Sequence, residues 1–385
     1  MRVVLRPVPL LAAAIGVIGA NSLVLPPIAP AVAADIACDV TMILRAAAAY
    51  GAGTALSALI LAPRADLIGS DRALSRACLL LLVALVVSML APNVLVLMVG
   101  QALAGIGAGT ALPAIYSLAA QLAPKGREKQ TIGTVLTGWT LSLIGGVTLA
   151  AFLTDMAGWR TVYALMALFT AAIWLLLRRV DMKTVRLSDR ATSPFSALRV
   201  PGVPRGLLAN AMLMLAFNGA YIYMGAHVVE NLGRGTSSAG LITMFYGAGF
   251  GVAVLFTRHL EMMPQRRIGL LAFLGLLSVY LLMNRFASVF GVLACVAFVW
   301  GIFQHLALNT VVDRLTSLDP RQRGAIMGLN SAVSYLTVMG GAVFYRFPYE
   351  AGGLAACLAF SALFAVVAVW ESLWPHRIRT YSAAE

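Results

Sequence analysis

The 385 residues are 61% apolar and only 11% charged, against roughly 45–50% and about 25% in soluble globular domains. So little charge cannot cover a water-soluble surface; at roughly 20 or more residues per crossing the chain holds about a dozen membrane helices and leaves no room for a soluble catalytic domain. The 28 Lys and Arg outnumber the 15 Asp and Glu, a formal +13, and the placement of those cations reports orientation and contact with anionic lipid, not a nucleic-acid partner.

Apolar runs and their breaks predict twelve spanning segments: 8–31, 42–62, 73–92, 94–119, 130–153, 159–178, 205–230, 237–257, 267–284, 287–310, 324–347 and 351–374. Each is long enough for a core of ~30 Å at 1.5 Å per residue, and the alternating segments of about ten residues that mark membrane strands are not visible. The expected fold is an all-α membrane protein. Arg2, Arg6 and Ala31-Val32-Ala33 around the first run resemble a cleaved secretory signal. The run from Val8 to Pro30 is too long for a signal core, and removing it would leave an odd helix count, so it is expected to stay as helix 1.

With the N-terminus in the cytoplasm, the inside connectors carry Arg2 and Arg6; Arg64, Arg72 and Arg76; Lys125, Arg127 and Lys129; seven cations from Arg178 to Arg205; Arg258, Arg266 and Arg267; Arg314, Arg321 and Arg323; and Arg377 and Arg379. These are 23 of the 28, leaving Arg45, Arg160, Arg234, Arg285 and Arg346 at or near the other side. Inside loops retain Lys and Arg, so the split predicts both termini on the cytoplasmic side.

The longest break, 179–204, is polar and basic and contains Pro194, Pro201 and Pro204. It predicts two six-helix bundles, 1–178 and 205–385, joined by a cytoplasmic linker. At an offset of 195, Asp66 pairs with Glu261, Arg72 with Arg267, Gly133 with Gly328, Gly145-Gly146 with Gly340-Gly341, Phe152 with Phe347, Asp155 with Glu350 and Gly158 with Gly353. One residue of slip also matches Leu122-x-Pro124-x-x-Arg127 to Leu318-x-Pro320-x-x-Arg323. Two such repeats related by an axis along the membrane normal are the architecture of alternating-access transporters, whose substrate site lies between the halves near the midplane.

These features, with the motifs that follow, resemble the major facilitator superfamily, in particular its twelve-helix drug:proton antiporter branch. The family's Gly-x-Leu-Ala-Asp-Arg-x-Gly-Arg-Arg loop after helix 2 is matched by Ala62-Pro63-Arg64-Ala65-Asp66-Leu67-Ile68-Gly69-Ser70-Asp71-Arg72, where Asp66 and Gly69 survive. Helix 4 matches the glycines of Arg-x-x-Gln-Gly-x-Gly-Ala-Ala at Gly105, Gly107 and Gly109, with Gln101 in place of the arginine. Helix 5 carries Gly138, Gly145 and Gly146 without the family's Gly-Pro pair; Gly158-Trp159-Arg160 before helix 6 and Leu25-Pro26-Pro27-Ile28-Ala29-Pro30 in helix 1 are again family-like. The resemblance implies the major facilitator fold and a gate latch at Asp66, Gly69 and Arg72, with Glu261 as its counterpart in the second half. A carboxylate at such a helix end can hold a neighbouring helix N-terminus or an Arg in one gate state.

A proton-coupled exporter needs a titratable group in the translocation path. Helix 1 has Asn21 at mid-depth instead of an acid. The acids Asp35, Asp39, Asp155, Glu230 and Glu350 fall at outer helix ends, and Asp66, Asp71, Glu261, Asp313 and Asp319 at inner ends. Proton coupling is therefore assigned to His227, Glu230 or His305 as candidates, with uncoupled diffusion or exchange as the alternative. Candidate substrate-binding residues are Asn21, Arg45, Gln101, Trp139, Asn218, Tyr221, His305, Asn309, Asn330 and Tyr335, since polar groups on apolar helices turn toward protein or water. His305 and Asn309 are one turn apart on one face. Arg45 has two readings: a cavity cation selecting an anionic substrate, or an interfacial side chain reaching the headgroups or Asp35 and Asp39.

Cys38, Cys78, Cys295 and Cys357 form no CxxC, the four histidines form no HExxH, and no phosphate-binding Gly-Lys-Ser/Thr loop is present. No metal, cofactor or ATP is expected. The expectation is a monomeric, non-enzymatic transporter in a bacterial inner membrane that exports a small amphipathic compound, with protons as a candidate coupling ion; the direction follows from the resemblance. The alternatives are an importer or facilitator of a small organic anion and, more distantly, a polytopic membrane enzyme.

Overall fold

The computed structural model describes residues 7–61, 68–124, 126–180, 194–260, 263–319 and 322–373. Among them, twelve helices are long and apolar enough to cross a membrane. They are α1 (Pro7–Ile36), α2 (Val40–Ile60), α3 (Ser70–Met89), α4 (Val94–Gln121), α5, α6 (Trp159–Leu177), α7 (Val203–Ala226), α8 (Thr236–Leu260), α9 (Gln265–Arg285), α10 (Phe290–Leu318), α11 (Arg323–Phe344) and α12 (Arg346–Leu373). α5 consists of Glu128–Leu141, a π turn at Ser142–Gly146 and Val147–Ala157; a second π turn, His227–Asn231, extends α7. Odd-numbered helices run from the end bearing the first residues of α1, the near end, to the far end, and even-numbered helices return.

Local chemistry sets the breaks. The Asn93 side chain accepts the Val96 N–H at 3.1 Å and starts α4. Gly158, at φ +83°, turns α5 into α6 with one residue, and Gly353, at φ +62°, kinks α12. α1 continues through Pro26, Pro27 and Pro30 to Ile36, past the predicted end at 31. α10 likewise extends to Leu318, and the break between α11 and α12 falls at Tyr345.

The fold is two pseudo-symmetric six-helix halves. In the first, α2 packs on α4, α3 on α4 and α6, and α1 on α5 and α6; in the second, α8 packs on α10, α9 on α10 and α12, and α7 on α11 and α12. Each pair has its counterpart six helices later. Two of the closest helix crossings repeat with an offset of 196. A Cβ on Gly53 would lie 2.3 Å from Ala102 O, and on Gly249 1.8 Å from Phe298 O; on Gly105 it would lie 2.2 Å from Tyr50 O, and on Gly301 2.0 Å from Tyr246 O. Small residues let backbones touch where no hydrophobic force drives helices together in lipid.

Candidate functional site

The halves meet through α2 with α11, α5 with α8, and α1 with α7. From mid-depth to the far end specific contacts join them. Pro27 has no N–H, so the Leu23 carbonyl one turn earlier has no helical donor; the Tyr221 hydroxyl of α7 donates to it at 2.8 Å. Pro30 frees the Pro26 carbonyl in the same way, and Gly225 brings α7 against it: a Cβ there would lie 2.2 Å from Pro26 O. Thr148 of α5 shares its hydroxyl between the Ile144 carbonyl and the Gly240 carbonyl of α8, the latter at 3.1 Å. Asp155 accepts the backbone N–H groups of Thr236 at 3.1 Å and Ser237 at 2.7 Å. Between α2 and α11, the rings of Tyr50 and Tyr335 meet edge-on with centroids 6.4 Å apart.

The near end is different. In α5 the far portion buries Val147, Thr148, Ala150, Ala151 and Thr154, whereas Gly133, Thr134, Leu136 and Thr137 of the near portion are exposed. In its partner α8, the consecutive residues Val254, Leu255 and Phe256 are at least half exposed. At 100° per residue, three neighbours cover more of a helix than one lipid-facing side. The far portion of α5 and its π turn therefore make the contact with α8, while the near portions of these two helices stand apart, leaving a gap between the halves there that closes above mid-depth.

The second half holds a buried aromatic cluster at mid-depth, of which only Phe250 and the neighbouring His305 are part-exposed. Phe217 stacks on Tyr221 with centroids 5.5 Å apart and touches Tyr246 at 5.3 Å and Trp300 at 5.2 Å; Tyr246 leads to Phe250 at 6.2 Å, and Phe250 meets His305 edge-on at 4.6 Å. His305 lies midway along α10. With the Asn309 amide donating to His305 Nε2 at 2.8 Å, the neutral ring carries its proton on Nδ1, which is buried without a partner.

The remaining predicted residues divide by position. Asn21 is 2% exposed with neither amide atom bonded, and it lies about 200° around α1 from Gly19, which faces Trp139 and Ser142 of α5. Leu23, Pro26 and Pro27, which meet α7 of the second half, centre on the opposite side of α1 from Asn21, so Asn21 points into the first half. Gln101 donates to Ser88 Oγ at 3.1 Å and Tyr163 Oη at 3.3 Å, tying α4 to α3 and α6. Asn218 bonds Met214 O at 2.9 Å and Thr337 Oγ1 at 3.1 Å, an α7–α11 link within the second half. Asn330 is buried, its carbonyl facing the Asn210 amide and its Oδ1 unbonded.

Arg45 is exposed and shares a helical face with Leu56 and Ile60, which are 58% and 50% exposed. This is the outer stripe of α2. Asp35 instead pairs with Arg160 and accepts from Trp159 Nε1 at 3.1 Å. His227 faces the Ala287 carbonyl at 2.9 Å, and Glu230 is exposed and accepts from the Tyr349 hydroxyl at 3.4 Å, both at the far end. Gly69, at φ +94°, precedes α3, and Arg72 is exposed on its first turn. Asp66 and Glu261 lie outside the described residues.

The family model of the Major Facilitator Superfamily matches residues 10–342. The chain belongs to this superfamily. A relative named as an uncharacterized MFS-type transporter, YwfA of Bacillus subtilis, is 29% identical over 367 residues, 91% of this chain and 88% of its own. A chloramphenicol efflux pump of Mycobacterium tuberculosis is 28% identical over 306 residues, covering 76% and 73%, and a probable sugar efflux transporter of Pasteurella multocida is 26% identical over 254 residues, covering 65% and 62%. The crystal structure of the human organic anion transporter TETRAN superposes with a TM-score of 0.72 at 14% identity, covering 95% of this chain and 98% of that one, a likeness of fold. As a major facilitator protein the chain is a multi-pass membrane transporter of small molecules and not an enzyme.

Thr148, Asp155, Gly225, Phe217, Phe250 and Trp300 belong to this site without being marked for it in the sequence. The one legible signal was the proline run in α1, because a proline frees a carbonyl for a partner elsewhere.

Proposed function

We propose that this protein exports small, uncharged or weakly charged amphipathic compounds across a bacterial inner membrane, its 1–178 and 205–385 bundles rocking as a monomer about the central gap with both termini in the cytoplasm. The observation that carries the reading is the one-sided closure: bonds at the far end, a gap open at the near end. That is one state of an alternating-access cycle. The 23 to 5 distribution of cations supports assigning the near end to the cytoplasm, and the names of the chloramphenicol and sugar efflux relatives support the direction. Phe250, the part-exposed end of the aromatic cluster, beside the unpaired Nδ1 of His305 suits a solute with an apolar body and one hydrogen-bond acceptor.

His305 is the proposed coupling group, being a titratable side chain at mid-depth, whereas His227 and Glu230 sit at the far end. Asp66 and Glu261, which follow α2 and α8 in the sequence, are the proposed latch of the state in which the gap opens the other way. Uptake of an organic anion draws no support from Arg45 on the outer stripe of α2.

The test is flux into inside-out vesicles with an imposed pH gradient, using labelled chloramphenicol, a neutral sugar and an organic anion. Uptake of a neutral solute that exceeds the vector control and collapses in His305→Ala when the gradient is the only driving force is expected. No flux of any neutral solute, or flux of the anion alone, overturns the reading.

A further inference from the structure

We infer that Asp155 is the far-side gate latch: a carboxylate on one half that caps the first turn of a helix on the other, and so is lost and regained with every transport cycle. The inference rests on the alternating-access reading above.

The first N–H groups of any α-helix have no partner inside the helix. They are usually met by a Ser, Thr, Asp or Asn just before the first turn. α8 begins at Thr236 and is preceded by Gly235, which has no side chain to offer. Its cap comes from 81 residues earlier: Asp155, near the end of α5, accepts Thr236 N–H through Oδ1 at 3.1 Å and Ser237 N–H through Oδ2 at 2.7 Å. The glycine is part of the arrangement, since a Cβ there would stand 3.1 Å from Asp155 Oδ2.

A negative carboxylate at the positive end of the α8 dipole adds to these two bonds. Arg160, five residues on in the same half, does not compete for it, because it is held by Asp35 and by the Ala91 carbonyl. Two features indicate a gate and not a fixed strut. The bond crosses the α5–α8 pair, whose near portions are already apart. It also lies at the surface, where water can replace Asp155 once the far end opens. Thr148 to Gly240 continues the same seam one layer deeper.

The test measures the far gate directly and needs no substrate. The full chain, with its four cysteines replaced, carries spin labels at Pro92→Cys and Ser288→Cys, exposed positions in the far-end connectors of the two halves, and is studied in nanodiscs by pulsed electron resonance. Asp155→Ala should raise the population with the longer, far-open distance about fivefold, and Asp155→Asn, which keeps one acceptor, by less. Adding Gly235→Asn to Asp155→Ala gives α8 a cap of its own but no tie to the first half, so the far end should stay as open as in Asp155→Ala alone.

A distance distribution unchanged in both Asp155 variants overturns the latch, as does restoration of the parent distribution by Gly235→Asn, which would make Asp155 merely a helix cap. Should Asp155→Ala fail to fold, the conservative Asp155→Asn carries the same comparison. Vesicle flux separates the two readings. Shifted distances in a protein that moves no solute would keep the latch and remove the export proposal; unshifted distances in an active exporter would do the reverse.

Discussion

Gly225→Ala and Gly53→Ala add the same methyl group at equally tight crossings with opposite consequences. At Gly225 the new Cβ would lie 2.2 Å from Pro26 O and 2.8 Å from the Pro27 Cα. Restoring ordinary contact at about 3.4 Å requires α7 to withdraw from α1 by about 1.2 Å. Overpacking of this kind costs about 1–3 kcal/mol. Because α1 and α7 belong to different halves, that strain is relieved by opening the far end, so it appears as a roughly 5- to 150-fold shift of the gate equilibrium toward the far-open state. At Gly53 the Cβ would lie 2.3 Å from Ala102 O, inside one half, where no gate motion relieves it. There the same cost comes off the folding stability. The assay pairs the far-end label distance with thermal unfolding in detergent: Gly225→Ala should lengthen the distance at nearly parent stability, and Gly53→Ala should lower Tm at the parent distance. A Gly225→Ala protein that loses as much Tm as Gly53→Ala while keeping the short far-end distance would refute the claim that the α1–α7 contact is a reversible interface.

Three further outcomes follow from the same geometry. Tyr221→Phe removes the hydroxyl that meets Leu23 O, leaving a carbonyl already deprived of its helical donor; at about 1–3 kcal/mol for such an orphan, the far-open fraction should rise at least fivefold in the label-distance experiment. Gln101→Ala breaks the ties to Ser88 and Tyr163 in the buried core of the first half and should cost about 2 kcal/mol of stability, read as a lower Tm, while the ratio of fluxes between any two solutes stays at the parent value. Arg45→Ala, on the outer stripe of α2, should change stability by less than about 0.5 kcal/mol and leave the relative flux of anionic and neutral solutes in vesicles unaltered.

What the sequence revealed depended on whether the information was local. Twelve spans, their halves and the repeat are written in apolar runs and glycines, and the helix crossings sharpen the repeat to an offset of 196, with Tyr50 and Gly105 standing where Tyr246 and Gly301 stand in the second half. Helix ends were less legible: α1 runs on through three prolines, and one of the carbonyls they free, that of Leu23, finds its donor across the molecule. Arg45 was decidable in principle, since 45, 56 and 60 share a helical face, and the exposed Leu56 and Ile60 assign that face to the outside. The direction of Asn21 and Gln101 was not, because a single polar residue in an apolar helix carries no phase of its own. Asp155 and the Phe217–Trp300–Phe250 cluster were hidden for a different reason. They matter through residues far away in sequence, and nothing in their own neighbourhood distinguishes them from an interfacial acid or packing aromatics.

The most direct measurement is the sidedness of a cysteine at Asn309, one helical turn from His305 toward the near end. Asn309→Cys, in a chain otherwise free of cysteine, is treated with a membrane-impermeant maleimide in right-side-out and in inverted vesicles, with Ser288→Cys as the far-end control. The account predicts that Asn309→Cys reacts from the near, cytoplasmic face and not from the far face in the resting protein, and that Gly225→Ala adds reactivity from the far face. Reaction of Asn309→Cys from the far face alone, or from neither face while Ser288→Cys reacts normally, would contradict a central gap that the two halves expose to one side at a time.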